Sequence, residues 1–146
     1  MTTTLKIKLV NASLAALALS TLAIVTLTPD TAHAQTAGLT RTIVTRADVS
    51  VPGREAVVAK VEIAPGVVVG WHTHPGDEIS YIQEGETELM VAGQPTRILK
   101  AGEGFIIPAG IVHGAKNIGS TSVKLVGVYV IEKGQALATP AAPPAQ

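Results

Sequence analysis

Residues 66–85 read GVVVGWHTHPGDEISYIQEG, and this stretch decides the fold. His72 and His74 stand two residues apart, so on an extended strand their side chains point to the same face. Pro75-Gly76-Asp77 follows as a tight connection, in which glycine tolerates a positive φ. If His74 and Glu78 oppose each other across this hairpin, the Glu78 carboxylate joins the two imidazoles on one face. The stretch therefore predicts three metal donors within one hairpin.

A second stretch, residues 102–117, supplies a fourth donor. It reads GEGFIIPAGIVHGAKN, and His113 follows the turn Pro108-Ala109-Gly110. Neutral imidazole is the commonest metal donor in proteins, and a carboxylate completes a mixed nitrogen and oxygen set. Such a set around a divalent ion leaves one or two coordination positions open for water or a substrate. The residues predicted to bind one divalent transition metal are His72, His74, Glu78 and His113.

Beyond the N-terminal segment, short β-like runs alternate with glycine and proline. Turn signals such as Ala64-Pro65-Gly66 and Ala92-Gly93-Gln94-Pro95 recur every several residues. No helical period longer than about ten residues is visible there. This pattern is typical of a β-sandwich or a small barrel. The predicted strands are Thr42–Thr45, Ala56–Ile63, Val67–Trp71, Glu78–Gln83, Thr87–Val91, Arg97–Lys100, Phe105–Ile107 and Val123–Ile131.

Both stretches resemble the two sequence motifs of the cupin superfamily, G-x5-H-x-H-x3-4-E-x6-G and G-x5-P-x-G-x2-H-x3-N. The resemblance implies an all-β fold, a small cupin β-barrel or jelly roll. It also implies a metal held by the four predicted donors, with Fe, Mn, Ni, Cu and Zn as the metals to expect. Pairing into a homodimer is implied by analogy. The matching residues are Gly66, His72, His74, Glu78, Gly85, Gly102, Pro108, Gly110, His113 and Asn117.

The N-terminal residues 1–34 have the pattern of a secretory signal peptide. Two lysines precede an apolar stretch from Leu9 to about Thr28, and Ala32-His33-Ala34 supplies a small-x-small cleavage pattern. We expect cleavage after Ala34 and a periplasmic or secreted mature protein without stable membrane association. The alternative is an uncleaved membrane anchor, since the apolar run is about long enough to span a bilayer.

Composition bounds the partners of the expected mature chain. Removing Lys6, Lys8 and Asp30 from the 11 basic and 11 acidic residues leaves 9 and 10, so the net charge is −1 with neutral histidine. This balance provides no electrostatic surface for nucleic acid or an anionic membrane. The chain has no cysteine, so no disulfide supports the fold. We expect one domain, residues 35–135, and a disordered Pro/Ala tail, residues 136–146.

Alternation along the strands outlines a pocket around the predicted metal. If Glu78 points inward, Ser80 and Ile82 share its face. Trp71 and Tyr81 are out of phase with the donors, so we expect them to face away from the metal, Trp71 against a neighbouring sheet or subunit and Tyr81 in the core or an interface. The other predicted wall residues are Val68 and Gly70, either Phe105 or Ile107, and Val126 with Val128.

Two function classes remain open. No phosphate-binding loop or dinucleotide motif is present, and no Ser-His-Asp triad can be built once the histidines are assigned. Catalysis would therefore be centred on the metal, with Glu78 as the candidate base. The first class is a metal-dependent enzyme acting on a small molecule, with dioxygenase chemistry favoured over decarboxylase, isomerase or lyase chemistry. The second is a non-catalytic protein that binds a metal or small ligand, favoured by the lack of a further proton-transfer residue.

Overall fold

The protein is described by a computed structural model that covers Met1 and residues 36–145. The predicted signal peptide, its cleavage site and His33 lie outside the described residues. Among the described residues, no helix is long and apolar enough to cross a membrane.

Two five-stranded antiparallel sheets make up the fold. In chain order the strands are β1 (Leu39–Asp48), β2 (Arg54–Ile63), β3 (Val68–Thr73), β4 (Gly76–Glu84), β5 (Glu86–Val91), β6 (Arg97–Lys100), β7 (Gly104–Ile107), β8 (His113–Asn117), β9 (Val123–Glu132) and β10 (Thr139–Pro140). The first sheet has the order β1-β2-β9-β4-β7, and the second has the order β10-β3-β8-β5-β6. The predicted all-β jelly roll is confirmed.

The hydrophobic core lies between the two sheets. Every second residue of β2 is buried, including Val57, Val61 and Ile63, because successive strand residues point to opposite faces. Leu89 on β5 and Leu99 on β6, from the second sheet, belong to one core cluster with Val61 and Ile63. Each such side chain stabilises the fold by about 1.5–3 kcal/mol relative to an exposed one. The space between the sheets is thus where any enclosed site must form.

The chain crosses from one sheet to the other between β3 and β4, where the sequence analysis predicted a hairpin. β3 pairs with β8 and β10, whereas β4 pairs with β7 and β9. Gly76 makes the crossing possible, since a Cβ there would lie 1.9 Å from the carbonyl oxygen of Val130. The prediction of a hairpin was wrong, because a short Pro-Gly connection suits a crossing between sheets equally well. His74 and Glu78 still meet, but they approach from opposite sheets.

A β-bulge in β3 changes which side chains face the interior. The register against β8 shifts between Val69 and His72. An extra residue in one strand reverses the alternation beyond it. Val69 is therefore buried, and Val68 is 48% exposed, so the prediction of Val68 as a pocket wall was wrong.

The buried face of β9 is also the opposite of the predicted one. Leu125, Gly127 and Tyr129 are buried, while Val126 and Val128 are only partly buried and lie on the other face. Gly127 provides the space for the aromatic ring, since a Cβ there would lie 2.7 Å from the Tyr129 hydroxyl. The predicted Val126 and Val128 wall is thus replaced by Leu125 and Tyr129.

The last strand falls within the segment predicted to be a disordered tail, residues 136–146. Thr139–Pro140 pairs with β3, and the Ala141 N–H donates to the Trp71 carbonyl at 2.9 Å. The expected disorder does not hold for these residues, because main-chain pairing does not depend on side-chain type. Proline is tolerated there since β10 is an edge strand.

Candidate metal centre

The four predicted donors converge between the two sheets. His72 lies on β3, Glu78 on β4 and His113 on β8, and His74 lies at the sheet crossing. One ligand atom from each residue lies within 4.8 Å of those of the other three. His74, Glu78 and His113 are buried, and His72 is partly exposed. The structure therefore brings together all four side chains that the sequence singled out.

Main-chain carbonyls fix the tautomer of every histidine in the cluster. A carbonyl oxygen only accepts a hydrogen bond, so the Nδ1 facing it carries the proton. In a neutral imidazole the lone pair then resides on Nε2. A carbonyl bound in this way is the usual support of a metal-binding histidine. The Nδ1 partners are Gly70 for His72 (2.8 Å), Leu137 for His74 (2.5 Å) and Ile111 for His113 (2.9 Å).

The Nε2 lone pairs face a carboxylate oxygen. Nε2 of His74 and Nε2 of His113 each lie 3.1 Å from Oε2 of Glu78. A proton added to one of these nitrogen atoms would satisfy only one of the two contacts. The buried Nε2 of His74 has no hydrogen-bond partner among the described residues. An unsatisfied buried acceptor costs about 1–3 kcal/mol. A divalent cation between these atoms would satisfy all of them, so the residues present fit a transition metal.

Glu78 is oriented by contacts to its other oxygen. Oε1 accepts a hydrogen bond from the Ser80 hydroxyl at 2.6 Å, which leaves Oε2 toward the histidines. Burial raises the pKa of the Glu78 carboxyl, but the contacts with His113 and His74 and the hydrogen bond from Ser80 outweigh burial and hold the pKa below its usual range. Glu78 is therefore a charged donor with one oxygen available.

His72 is the donor nearest to solvent. Burial lowers the pKa of its imidazole to about 4, the Gly70 carbonyl offsets part of the shift, and the neighbouring His113 and His74 lower the pKa further. His72 is therefore neutral at pH 7, as a metal ligand must be.

Tyr129 is a site residue that the sequence analysis missed. Its ring lies 4.8 Å from the His74 ring between centroids, and its hydroxyl lies 3.5 Å from Oε1 of Glu78. Burial and then the Glu78 charge raise the pKa of this hydroxyl, so it stays protonated. Alternation counted from the buried Ile131 would have found Tyr129. Leu137, whose carbonyl supports His74, gave no signal in the sequence.

Two cavities that share part of their lining adjoin the donors. The inner one has a volume of about 40 Å³ and is bounded by His72, Glu78, His113, Tyr129 and Phe105 among others, so Phe105 lines it as predicted. The outer pocket has a volume of about 410 Å³. The outer pocket shares its lining with the inner cavity at Leu39, Arg41, Val69 and His72.

Trp71 lies in the lining of the outer pocket, next to His72. Of the four cluster residues, only His72 is part of this lining, so the expectation that Trp71 faces away from the metal stays a prediction. The wall of the pocket next to the donors is thus partly aromatic.

The jelly roll and its histidine and glutamate cluster define a member of the cupins. A family model described as the cupin domain matches residues 59–131, and the chain belongs to this family. The match contains all four donors and both sequence motifs.

Individual relatives extend the comparison. Germin-like protein subfamily 2 member 2 of Arabidopsis thaliana is 35% identical over 77 residues, which are 49% of this chain and 35% of that protein. Oxalate oxidase 2 of Hordeum vulgare is 33% identical over 75 residues, 46% of this chain and 34% of that protein. The chain spans about a third of the length of these curated relatives.

A solved structure covers more of the fold. An uncharacterized conserved protein with a double-stranded β-helix domain, from Klebsiella pneumoniae, superposes with a TM-score of 0.58 at 27% identity. The superposition covers 72% of this chain and 88% of that one. This likeness supports the two-sheet architecture for most of the described residues.

Elemental analysis should find close to one transition metal per chain in protein purified without a His tag. The variants His113→Gln and Glu78→Gln should lose the metal, because each removes one of four donors. Glu62→Gln removes an exposed carboxylate and should retain it. Chelation should lower the midpoint of thermal unfolding, since a metal that binds only the folded state stabilises it. Undiminished metal in both donor variants would contradict the assignment.

Metal-free protein should lose stability as the pH falls from 6.5 toward 4. The pKa of His72 is about 4 in the folded protein, whereas the ordinary histidine value of 6.5 applies to the unfolded chain. Between these two pH values the unfolded chain binds the proton more readily, so acidification favours unfolding. The contribution of neutral His72 to the free energy of unfolding is fully present above pH 6.5 and is lost as the pH falls toward 4. Urea unfolding at pH 7 and pH 4.5 should differ by roughly 2–3 kcal/mol more in the wild type than in His72→Gln. An equal loss of stability in the wild type and in His72→Gln would contradict the lowered pKa of His72.

Proposed function

We propose that the protein is a metal-dependent enzyme that acts on a small molecule, with dioxygenase-type oxidation as the favoured reaction. The observation that carries this proposal is the convergence of three imidazole lone pairs and one carboxylate oxygen beside a pocket of about 410 Å³. A bound Fe, Mn, Ni, Cu or Zn ion would supply Lewis-acid or redox chemistry there. Similarity to an oxalate oxidase supports an oxidative reaction.

Glu78 is the proposed base of the site in addition to its role as a donor. Its lowered pKa keeps the carboxylate ionised across the physiological range. Ser80 fixes Oε1, so Oε2 is the oxygen that can take up a proton from a ligand in the inner cavity. The protonated Tyr129 hydroxyl, 3.5 Å from Oε1, donates toward the carboxylate and favours its ionised form.

The alternative function is non-catalytic binding of a metal or small ligand. The small number of proton-transfer groups in the lining of the inner cavity favours this alternative. The titratable groups in that lining are three metal donors, Tyr129 and Arg41. A proton shuttle independent of the donors would thus depend on Tyr129, whose raised pKa makes it a poor proton donor at neutral pH.

We also propose that the protein works outside the cytoplasm, in the periplasm or after secretion. The support is the sequence pattern of residues 1–34, with a basic start, an apolar stretch and an Ala-x-Ala site ending at Ala34.

Oxygen uptake should distinguish the two functions. Metal-loaded protein, incubated with a panel of small chelating acids, diols and enols, should consume O₂ with at least one of them. His113→Gln should show no uptake, because it removes a donor, and Glu62→Gln should match the wild type. An oxygen electrode together with product analysis provides the readout. Tight binding without turnover across the panel would support the alternative, and turnover without O₂ would support lyase, isomerase or decarboxylase chemistry.

We further propose that two copies of the chain form a homodimer through the outer face of the first sheet. Ile79 on β4 and Ile106 on β7 are cross-strand neighbours and are 44% and 65% exposed. Tyr81, which we expected in the core or an interface, is 52% exposed on the same face. Adjacent exposed apolar side chains of this kind are typical of protein interfaces. A second copy of the same sheet face would cover them symmetrically.

Sedimentation velocity should report a dimer for the wild type and a shift toward monomer for Ile106→Glu, because a charge would then be buried in the interface. Ile98→Glu is the matched control, since Ile98 is 54% exposed on β6 of the other sheet. A monomeric wild type, or dissociation caused by Ile98→Glu alone, would exclude the proposed face.

A further inference from the structure

Arg41 on β1 is a cation of the site that no described residue neutralises. Its side chain lines both the inner cavity and the outer pocket. Its Nε is buried without a hydrogen-bond partner among the described residues, and it takes part in none of their ion pairs. Buried N–H groups nearly always have an acceptor. The guanidinium also faces the Tyr129 hydroxyl, whose pKa it lowers, but this hydroxyl stays protonated and carries no charge to pair with Arg41. An anionic acceptor for Arg41 would therefore come with a ligand.

The surroundings of Arg41 indicate the charge of that ligand. Within the described lining of the outer pocket, Arg41 is the only permanently charged side chain, because His72 is neutral at pH 7. The carboxylate in the described lining of the inner cavity is that of Glu78, whose oxygens face Ser80 and the histidines. A guanidinium group binds a carboxylate through two parallel hydrogen bonds. A single anionic group of this shape would match the site.

The rest of the outer pocket indicates the body of the ligand. Its walls are mostly apolar, and its volume of about 410 Å³ falls within the usual range of small-molecule sites, about 300–1,000 Å³. A two-carbon dianion would leave most of this space unfilled and would place its second charge against apolar walls. The apolar wall residues are Leu39, Val69, Trp71, Leu137 and Pro140.

We propose that the ligand is a monocarboxylate with an apolar body, whose carboxylate binds Arg41 and whose body fills the outer pocket. His72 lines the same boundary, so an oxygen next to the carboxylate would lie on the side of the donor cluster. This inference rests on the proposed function in placing the ligand at the same site, and it names the ligand class. The Arg41 contact is the same for an enzyme and for a binding protein.

Mandelate and mandelamide provide the test, because they share an aromatic body and a hydroxyl group and differ in the charge of the acid group. Isothermal titration of the full metal-containing protein should show that mandelate binds more tightly than mandelamide. Arg41→Met should weaken mandelate binding by about 10- to 100-fold and leave mandelamide binding nearly unchanged. Arg41→Lys should recover part of the affinity. Arg97→Met, which removes an exposed arginine from β6, should match the wild type.

Elemental analysis of the same samples separates this inference from the proposed function. Equal metal content in wild type and Arg41→Met, together with weaker mandelate binding, supports the carboxylate contact even if no turnover is found. No mandelate binding at millimolar concentration, or equal affinities for acid and amide, would overturn the inference. Tighter binding of oxalate than of mandelate would overturn the apolar body. Because the acid and amide comparison uses the wild type, it holds even if an Arg41 variant does not fold.

Discussion

The structure depends on a set of acceptor atoms that face one another without a donor between them. The Glu78 carboxylate and the Nε2 atoms of His74 and His113 are held at 3.1 Å. Their burial prevents water from separating them freely. The free energy gained by burying the apolar core must hold these mutually repelling atoms together. A cation bound between them would replace the repulsion with attraction. The same atoms therefore destabilise the metal-free protein and would stabilise the metal-bound protein.

The two-sheet architecture supplies this arrangement from both sides. His72 and His113 are directly paired on neighbouring strands of the second sheet, whereas Glu78 comes from the first. Gly76 lets the chain pass from one sheet to the other against the backbone of β9. The donors are then positioned by main-chain pairing and by carbonyl groups, which respond little to substitutions on the surface. A rigid scaffold of this kind suits a site that must keep its geometry when a ligand enters.

The sequence was sufficient for the fold class and for the four side chains that converge between the sheets, because fixed spacing of histidine, glutamate, glycine and proline is a property of the chain itself. It was insufficient where the geometry depends on the register between strands. The bulge in β3 displaced Val68 from the wall, and the choice of face in β9 exchanged Val126 for Tyr129. Arg41 was missed because nothing near it in sequence marks it as a site residue, and only the closed sandwich brings β1 to the donors.

The carbonyl of Leu137 has a consequence for how the domain tolerates change. The group that orients His74 belongs to the backbone, so exchanging the side chain at position 137 leaves it in place. A chain shortened before this position would lose that acceptor, and the imidazole could then exchange one tautomer for the other. The orientation of His74 therefore depends on the path of the polypeptide after β9, and hardly on its side chains.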